Sequence, residues 1–350
     1  MGTTDQSPQP LGLQAPAPMP TAALADGSAT GIPTAALADG SATGIPTAAL
    51  AAGSAAGIPT AALSAPVAGG ALAAVAIGPP DAPPLLAVHG ITANAFAWLP
   101  VAAALDGRAR LIAPDLRGRA GSASLPPPYG TASYVADLLA LLDHLGLARP
   151  VAVGHSLGAY VIARLAAEHP DRVRAAVLVD GGLTLPDAER IDDPQAFIEG
   201  FLGPALARLR LRFEHLDAYL DWWRNHPAFT GQDVAEPFLR AYVERDATGE
   251  PPELHSSVRE RAVRADAEEM GTLGIWAQRL SVPARLLCAQ FGLLGEPAPM
   301  QPLQLAQAWA RQAPGRNARL VAGTNHYTIT LGARGAAAVA EELARTLAAA

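Results

Sequence analysis

The sequence predicts an α/β protein: a mostly parallel sheet with helices on both faces, a helical lid inserted before one of the last strands, and a disordered N-terminal repeat tail. Three observations carry this. From about residue 66, short apolar runs of strand type alternate with segments of helical spacing. The runs are apolar throughout, as in strands buried on both faces. Ahead of them the chain repeats itself in a composition that cannot build a core.

The repeat comes first. Pro20, Pro33, Pro46 and Pro59 each open Pro-Thr-Ala-Ala-Leu, a period of 13 residues. Each unit has only Leu and Ile as bulky apolar residues, and Gly and Pro oppose any helix. Burial within such a unit cannot offset its ordering entropy. Residues 1–64 are therefore expected as a disordered tail, and 65–350 as one domain. Within it, residues 71–77, 84–88 and 110–115 read as strands. Residues 131–147 form the clearest helix: Tyr134, Leu138, Leu141, Leu142 and Leu145 fall at helical spacing, and Thr131 or Ser133 can cap its start. A strand at 151–153 leads through Ser156 into a helix ending near residue 168. Residues 175–179 are a strand ending at Asp180, and 285–289 and 319–322 are two more. A last helix covers 336–349. Between residues 181 and 280 the alternation stops. That stretch holds ten of the eighteen aromatics, Trp222 and Trp223 among them, and is expected to form a helical lid over an apolar pocket.

Gly154-His155-Ser156-Leu157-Gly158 joins a buried strand to an Ala-rich helix. This is the context of a nucleophile elbow. The turn exposes the Ser hydroxyl at the carboxyl edge of the sheet, and it crowds the positions two before and two after, where Gly fits. The helix N-terminus favours developing negative charge.

From about residue 66 to its end, the chain resembles the α/β-hydrolase fold family. Leu86-Ala87-Val88-His89-Gly90-Ile91 is similar to the family's strand and His-Gly turn, and Pro114-Asp115-Leu116-Arg117-Gly118-Arg119-Ala120-Gly121-Ser122 to its Asp-x-Arg-Gly segment, with one extra residue. Thr324-Asn325-His326, after the last strand, is similar to its catalytic His loop. The resemblance implies Ser156 as nucleophile, His326 as base, and the Ile91 and Leu157 amides as oxyanion donors. Of the eight His residues only His326 combines a strand end, a late position and a loop start. Asp115 and Arg117 are expected to shape a turn. The acid stays open between Glu296, slightly late for the family's usual turn, and Asp180, at the tip of the strand after the elbow helix. His155, Trp222 and Trp223 are the expected substrate contacts.

The implied function is hydrolysis of a neutral, apolar carboxylic ester through an acyl-enzyme. The alternatives are cleavage of another acyl bond (C–C, thioester or amide) and a non-catalytic ligand-binding role. Relatives that open epoxides carry Asp at the elbow, which Ser156 argues against. Composition narrows partners. A net charge of −7 without a basic stripe speaks against nucleic acid. No apolar run approaches a membrane span, and no metal-ligand spacing or cofactor motif is present. The single Cys288 forms no internal disulfide, and the N-terminus lacks a signal-peptide pattern, so a cytoplasmic location is expected. All 25 basic residues are Arg, which excludes catalysis by Lys.

Overall fold

The computed structural model describes residues 52–186 and 194–349. The expected repeat tail lies outside the described residues as far as residue 51. In chain order the first half contains β1 (Ala52–Ala55), β2 (Ile58–Val67), β3 (Gly70–Ile77), β4 (Pro84–Val88), α1 (Leu99–Leu105), β5 (Arg110–Pro114), α2 (Thr131–His144), β6 (Val151–His155), α3 (Leu157–Glu168) and β7 (Ala175–Val179). Then come α4 (Pro194–Leu209), α5 (Leu216–Arg224), α6 (Glu236–Asp246), the two-residue strands β8 (Ala247–Thr248) and β9 (His255–Ser256), α7 (Glu260–Glu269) and α8 (Ile275–Gln278). The chain closes with β10 (Ala284–Ala289), α9 (Leu303–Arg311), β11 (Arg316–Val321), α10 (Thr328–Leu331) and α11 (Ala333–Ala349).

Among the described residues nine strands form one sheet in the order β1-β2-β3-β5-β4-β6-β7-β10-β11. Pairings from β5 to β11 are parallel, and β1, β2, β3 and β5 pair antiparallel. The apolar strands divide their side chains by alternation. Leu85 and Ala87 join one buried cluster with Leu99 and Leu105 of α1 and Val339 and Leu343 of α11. Leu86 and Val88 join another with Leu138 of α2, Ile162 of α3 and Trp309 of α9. Period-two alternation thus supplies both helix layers.

Two local expectations change. The domain begins before residue 65, because Ala52–Ala55 and Ile58–Val67 are already strands of the sheet. Ala56 and Gly57 turn the hairpin with φ of 50° and 81°, the left-handed pair a two-residue turn requires. Ala61, Leu63 and Ala65 alternate into the core. A repeat unit that cannot bury itself does so against β3 and α2. At α2, neither Thr131 nor Ser133 caps. Gly130 holds that position, and the Thr131 amide donates to Glu269 of α7 at 3.0 Å.

Among the described residues between β7 and β10 stand five α-helices, α4 to α8. No helix of the described residues is long and apolar enough to cross a membrane.

Candidate active site

Ser156 sits between β6 and α3 with φ 55° and ψ −121°. This backbone region is costly for a side-chain-bearing residue and concentrates at functional sites. Neighbouring backbone enforces the turn. A Cβ on Gly154 would stand 2.1 Å from the Gly158 carbonyl oxygen, and one on Gly158 2.1 Å from that of Val88. The Ser156 amide donates to Val179 O at 3.0 Å, which ties the elbow to β7.

Asp180 ends β7, also left-handed, with φ 45°. Its carboxylate is wholly buried. Oδ1 accepts from the Ala289 amide at 3.0 Å, and Oδ2 lies 2.7 Å from Nδ1 of His326. A carboxylate there accepts from Nδ1–H, which orients the ring and leaves the lone pair on Nε2. The His326 loop is held on both sides. Its own carbonyl accepts from His155 Nε2 at 2.8 Å, and Asn325 donates through Nδ2 to Ala228 O at 2.6 Å. The His155 and His326 rings lie 4.7 Å apart. Burial, then the neighbouring His326, pushes the His155 imidazole well below its ordinary range, so it stays neutral.

His89 fixes the loop opposite. Its Nε2 accepts from the Leu116 amide at 3.0 Å. The proton is therefore on Nδ1, which donates to Gly90 O at 2.8 Å. Burial pushes this imidazole down to about 4. Among the described residues, neither the Ile91 nor the Leu157 amide donates to an acceptor. Asp115 and Arg117 do shape the following segment. Asp115 accepts from the Ala95 and Gly121 amides, and Arg117 pairs with Asp137.

One cavity brings together Gly90, Ile91, His155, Ser156 and His326. Leu202 and Ala205 of α4, Tyr242 of α6 and Tyr327 are among its other walls. Glu296, one of the two carboxylates the sequence left open, is not brought to His326. It is exposed and accepts from the Leu294 amide at 2.8 Å, since a residue in so short a turn reaches its own backbone first. Trp222 and Trp223 do not line this cavity either. Adjacent residues of a helix face different ways. Trp223 points inward, 5.5 Å from the Tyr242 ring, and Trp222 lines a separate hollow with Phe213 and His226. Leu202, Ala205 and Tyr242 are the described residues of the insertion that line the Ser156 cavity. Their sequence context carries no signal for this beyond membership of the insertion. Among the described residues no group of three or more His, Cys, Asp or Glu side chains is arranged to hold a metal ion.

The pattern of the α/β-hydrolase fold family matches residues 83–251. Lipase LipV of Mycobacterium tuberculosis is 37% identical over 134 residues, 37% of this chain and 50% of that protein. Epoxide hydrolase A of the same organism is 37% identical over 136 residues, 37% of this chain and 41% of that protein. The chain thus spans about half or less of the length of the curated relatives it matches. Among solved structures, E-2-(acetamidomethylene)succinate hydrolase superposes with a TM-score of 0.66 at 22% identity, covering 82% of this chain and 99% of that one.

Proposed function

We propose that this chain, which belongs to the α/β-hydrolase fold family, is a serine hydrolase that cleaves a carboxylic ester of a neutral, apolar substrate. The contact of His326 Nδ1 with Asp180 Oδ2 at 2.7 Å, on a cavity shared with the strained Ser156, carries this reading.

The Ser156 hydroxyl attacks the ester carbonyl carbon, and His326 Nε2 takes its proton. Asp180 holds the ring and offsets its new charge. The oxyanion rests on the amides of Ile91 and Leu157, the latter also the first amide of α3. The tetrahedral adduct collapses, and the leaving alkoxide takes the proton from His326. Water then attacks the acyl-enzyme, giving its proton to His326. The second collapse releases the carboxylic acid, and Ser156 Oγ takes the proton back from His326. The insertion acts as a lid whose α4 and α6 wall the cavity with apolar and aromatic groups. The likeness to an epoxide hydrolase does not extend to its reaction, because Ser156 occupies the elbow where epoxide-opening relatives carry Asp.

A fluorophosphonate probe tests the proposal. Wild type is expected to be labelled and Ser156→Ala not, with turnover of p-nitrophenyl esters lost in parallel. Absence of labelling in wild type would sink it.

A further inference from the structure

The peptide planes facing Ser156 are held from behind by two buried arginines that sequence patterns do not single out. Arg119 donates to Ile91 O through Nε at 3.0 Å and Nη2 at 2.9 Å. Its remaining donors meet Arg117 O at 2.8 Å, Tyr134 OH at 2.7 Å and the Asp266 carboxylate. Arg208 donates to Thr92 O at 3.1 Å, to Asp246 Oδ2 at 2.9 Å and to Tyr219 OH. Each guanidinium thus has its own Asp and its own Tyr. In each trio the Tyr hydroxyl also donates to the Asp, at 2.7 Å for Tyr134 and 2.5 Å for Tyr219. All four charged side chains are 3% exposed or less.

The geometry has a direct consequence. In a trans peptide the C=O and N–H point opposite ways. His89 holds the Gly90 carbonyl, Arg119 that of Ile91, and Arg208 that of Thr92. Every plane from Gly90 to Ala93 is therefore fixed from its carbonyl side, and the Ala93 amide, in the plane that Arg208 holds, closes back onto Gly90 O at 3.2 Å and braces the plane carrying the Ile91 amide. The Ile91 and Thr92 amides meet no acceptor among the described residues. Two buried ion pairs are an inefficient way to stabilise a fold, since apolar packing of similar volume does as well or better. They are an efficient way to fix the direction of peptide dipoles before charge develops.

We infer that Arg119 and Arg208 are positioning residues for oxyanion stabilisation: Arg119 fixes the plane of the Thr92 amide, and Arg208, through the Ala93 to Gly90 turn, braces the plane of the Ile91 amide, so that this loop presents both amides to the tetrahedral adduct. The inference rests on the serine hydrolase reading. It also assigns the insertion a catalytic task, because Arg208, Tyr219, Asp246 and Asp266 all belong to it. On α4, Arg208 lies along the side that carries Leu202 and Ala205 into the cavity, so the cavity wall and the clamp are one helix.

Arg119→Lys and Arg208→Lys test this, since Lys keeps the charge but loses the fork. Each folded variant is assayed on p-nitrophenyl butyrate and against an aliphatic trifluoromethyl ketone, whose serine adduct carries an oxyanion. The expected kcat falls roughly tenfold to a hundredfold while KM stays within about twofold. The ketone's inhibition constant rises in step with the loss in kcat/KM, which a purely structural role would not produce. Wild-type kcat in both folded variants, or a loss confined to KM, overturns the inference. Where a Lys variant does not fold, Tyr134→Phe and Tyr219→Phe decide. Each removes one hydroxyl, with an expected loss in kcat of about two- to fivefold at constant KM, and unchanged kcat in both overturns it. A wild type that neither reacts with a fluorophosphonate nor turns over the ester overturns the hydrolase reading and the clamp together. That outcome is distinct from an active wild type with fully active variants.

Discussion

Asp180 uses both carboxylate oxygens, one on the Ala289 amide and one on His326. Glu296 uses one of its oxygens on the amide of Leu294, two residues before it. The two carboxylates were not separable in sequence, because which strand tip faces His326 depends on sheet order. With β7 beside β10 and β11 beyond it, the β7 tip reaches the final loop. Asp180→Asn is expected to lower kcat on a p-nitrophenyl ester by roughly 10³–10⁴, since an amide can favour the wrong ring tautomer. Glu296→Gln is expected to stay within about threefold, as for exposed positions outside the site. Equal losses in both would contradict the assignment. His89 gives a pH prediction. Burial lowers it from its ordinary 6.5 to about 4. As pH falls through 6.5 the unfolded chain takes up this proton first, so stability declines until the folded state also protonates near 4. Urea unfolding between these values is expected to show stability rising with pH. His89→Gln, which can still accept from Leu116 and donate to Gly90, is expected to flatten that slope by up to about one proton. An unchanged slope would count against a neutral buried His89.

At the scale of elements, what was legible is what is local. The elbow announces itself because its two glycines answer to contacts within five residues and one neighbouring strand. The buried strands of the parallel region announce themselves by composition. β2 does not, because its alternation is carried by Ala61, Leu63 and Ala65, of which only Leu63 is bulky, and Pro59 and Pro66 interrupt the run. The cavity walls are also silent in sequence. Leu202 and Ala205 reach the cavity through how α4 is seated, and Arg208 on the same helix is tied to Thr92 across 116 residues. Ala205 is the smallest wall group on this helix, and enlarging it shortens the space for an apolar chain. Ala205→Leu is expected to lower kcat/KM for p-nitrophenyl octanoate relative to acetate by roughly tenfold or more, the discrimination a few methylenes provide. An unchanged ratio would place the acyl chain elsewhere.

For the whole molecule, the expectation that changes is where the sheet begins, since β1 and most of β2, expected in the tail, belong to it. Its antiparallel margin is built from the third and fourth copies of a repeat that cannot stand alone, and β2 pairs with β3 along eight residue pairs. Removing that margin uncovers a strand whose Leu72 and Ala76 are wholly buried. It also leaves the amides and carbonyls of β3 as a long apolar edge, a template for unwanted pairing. The loss includes full burial of Leu63, worth about 1.5–3 kcal/mol, and smaller contributions from Ala61 and Ala65. A chain starting at Ala52 is the reference, and one starting at Gly69 lacks both strands. The shorter chain is expected to melt roughly 5–10 °C lower and to aggregate at concentrations the longer one tolerates. Its Ser156, Asp180 and His326 follow β6, β7 and β11, far along the sheet from the missing edge. At low temperature its kcat and KM on a p-nitrophenyl ester should therefore match the reference. Equal melting temperatures would make β1 and β2 ornaments of the sheet, and a lost kcat in folded protein would show that the edge reaches the site.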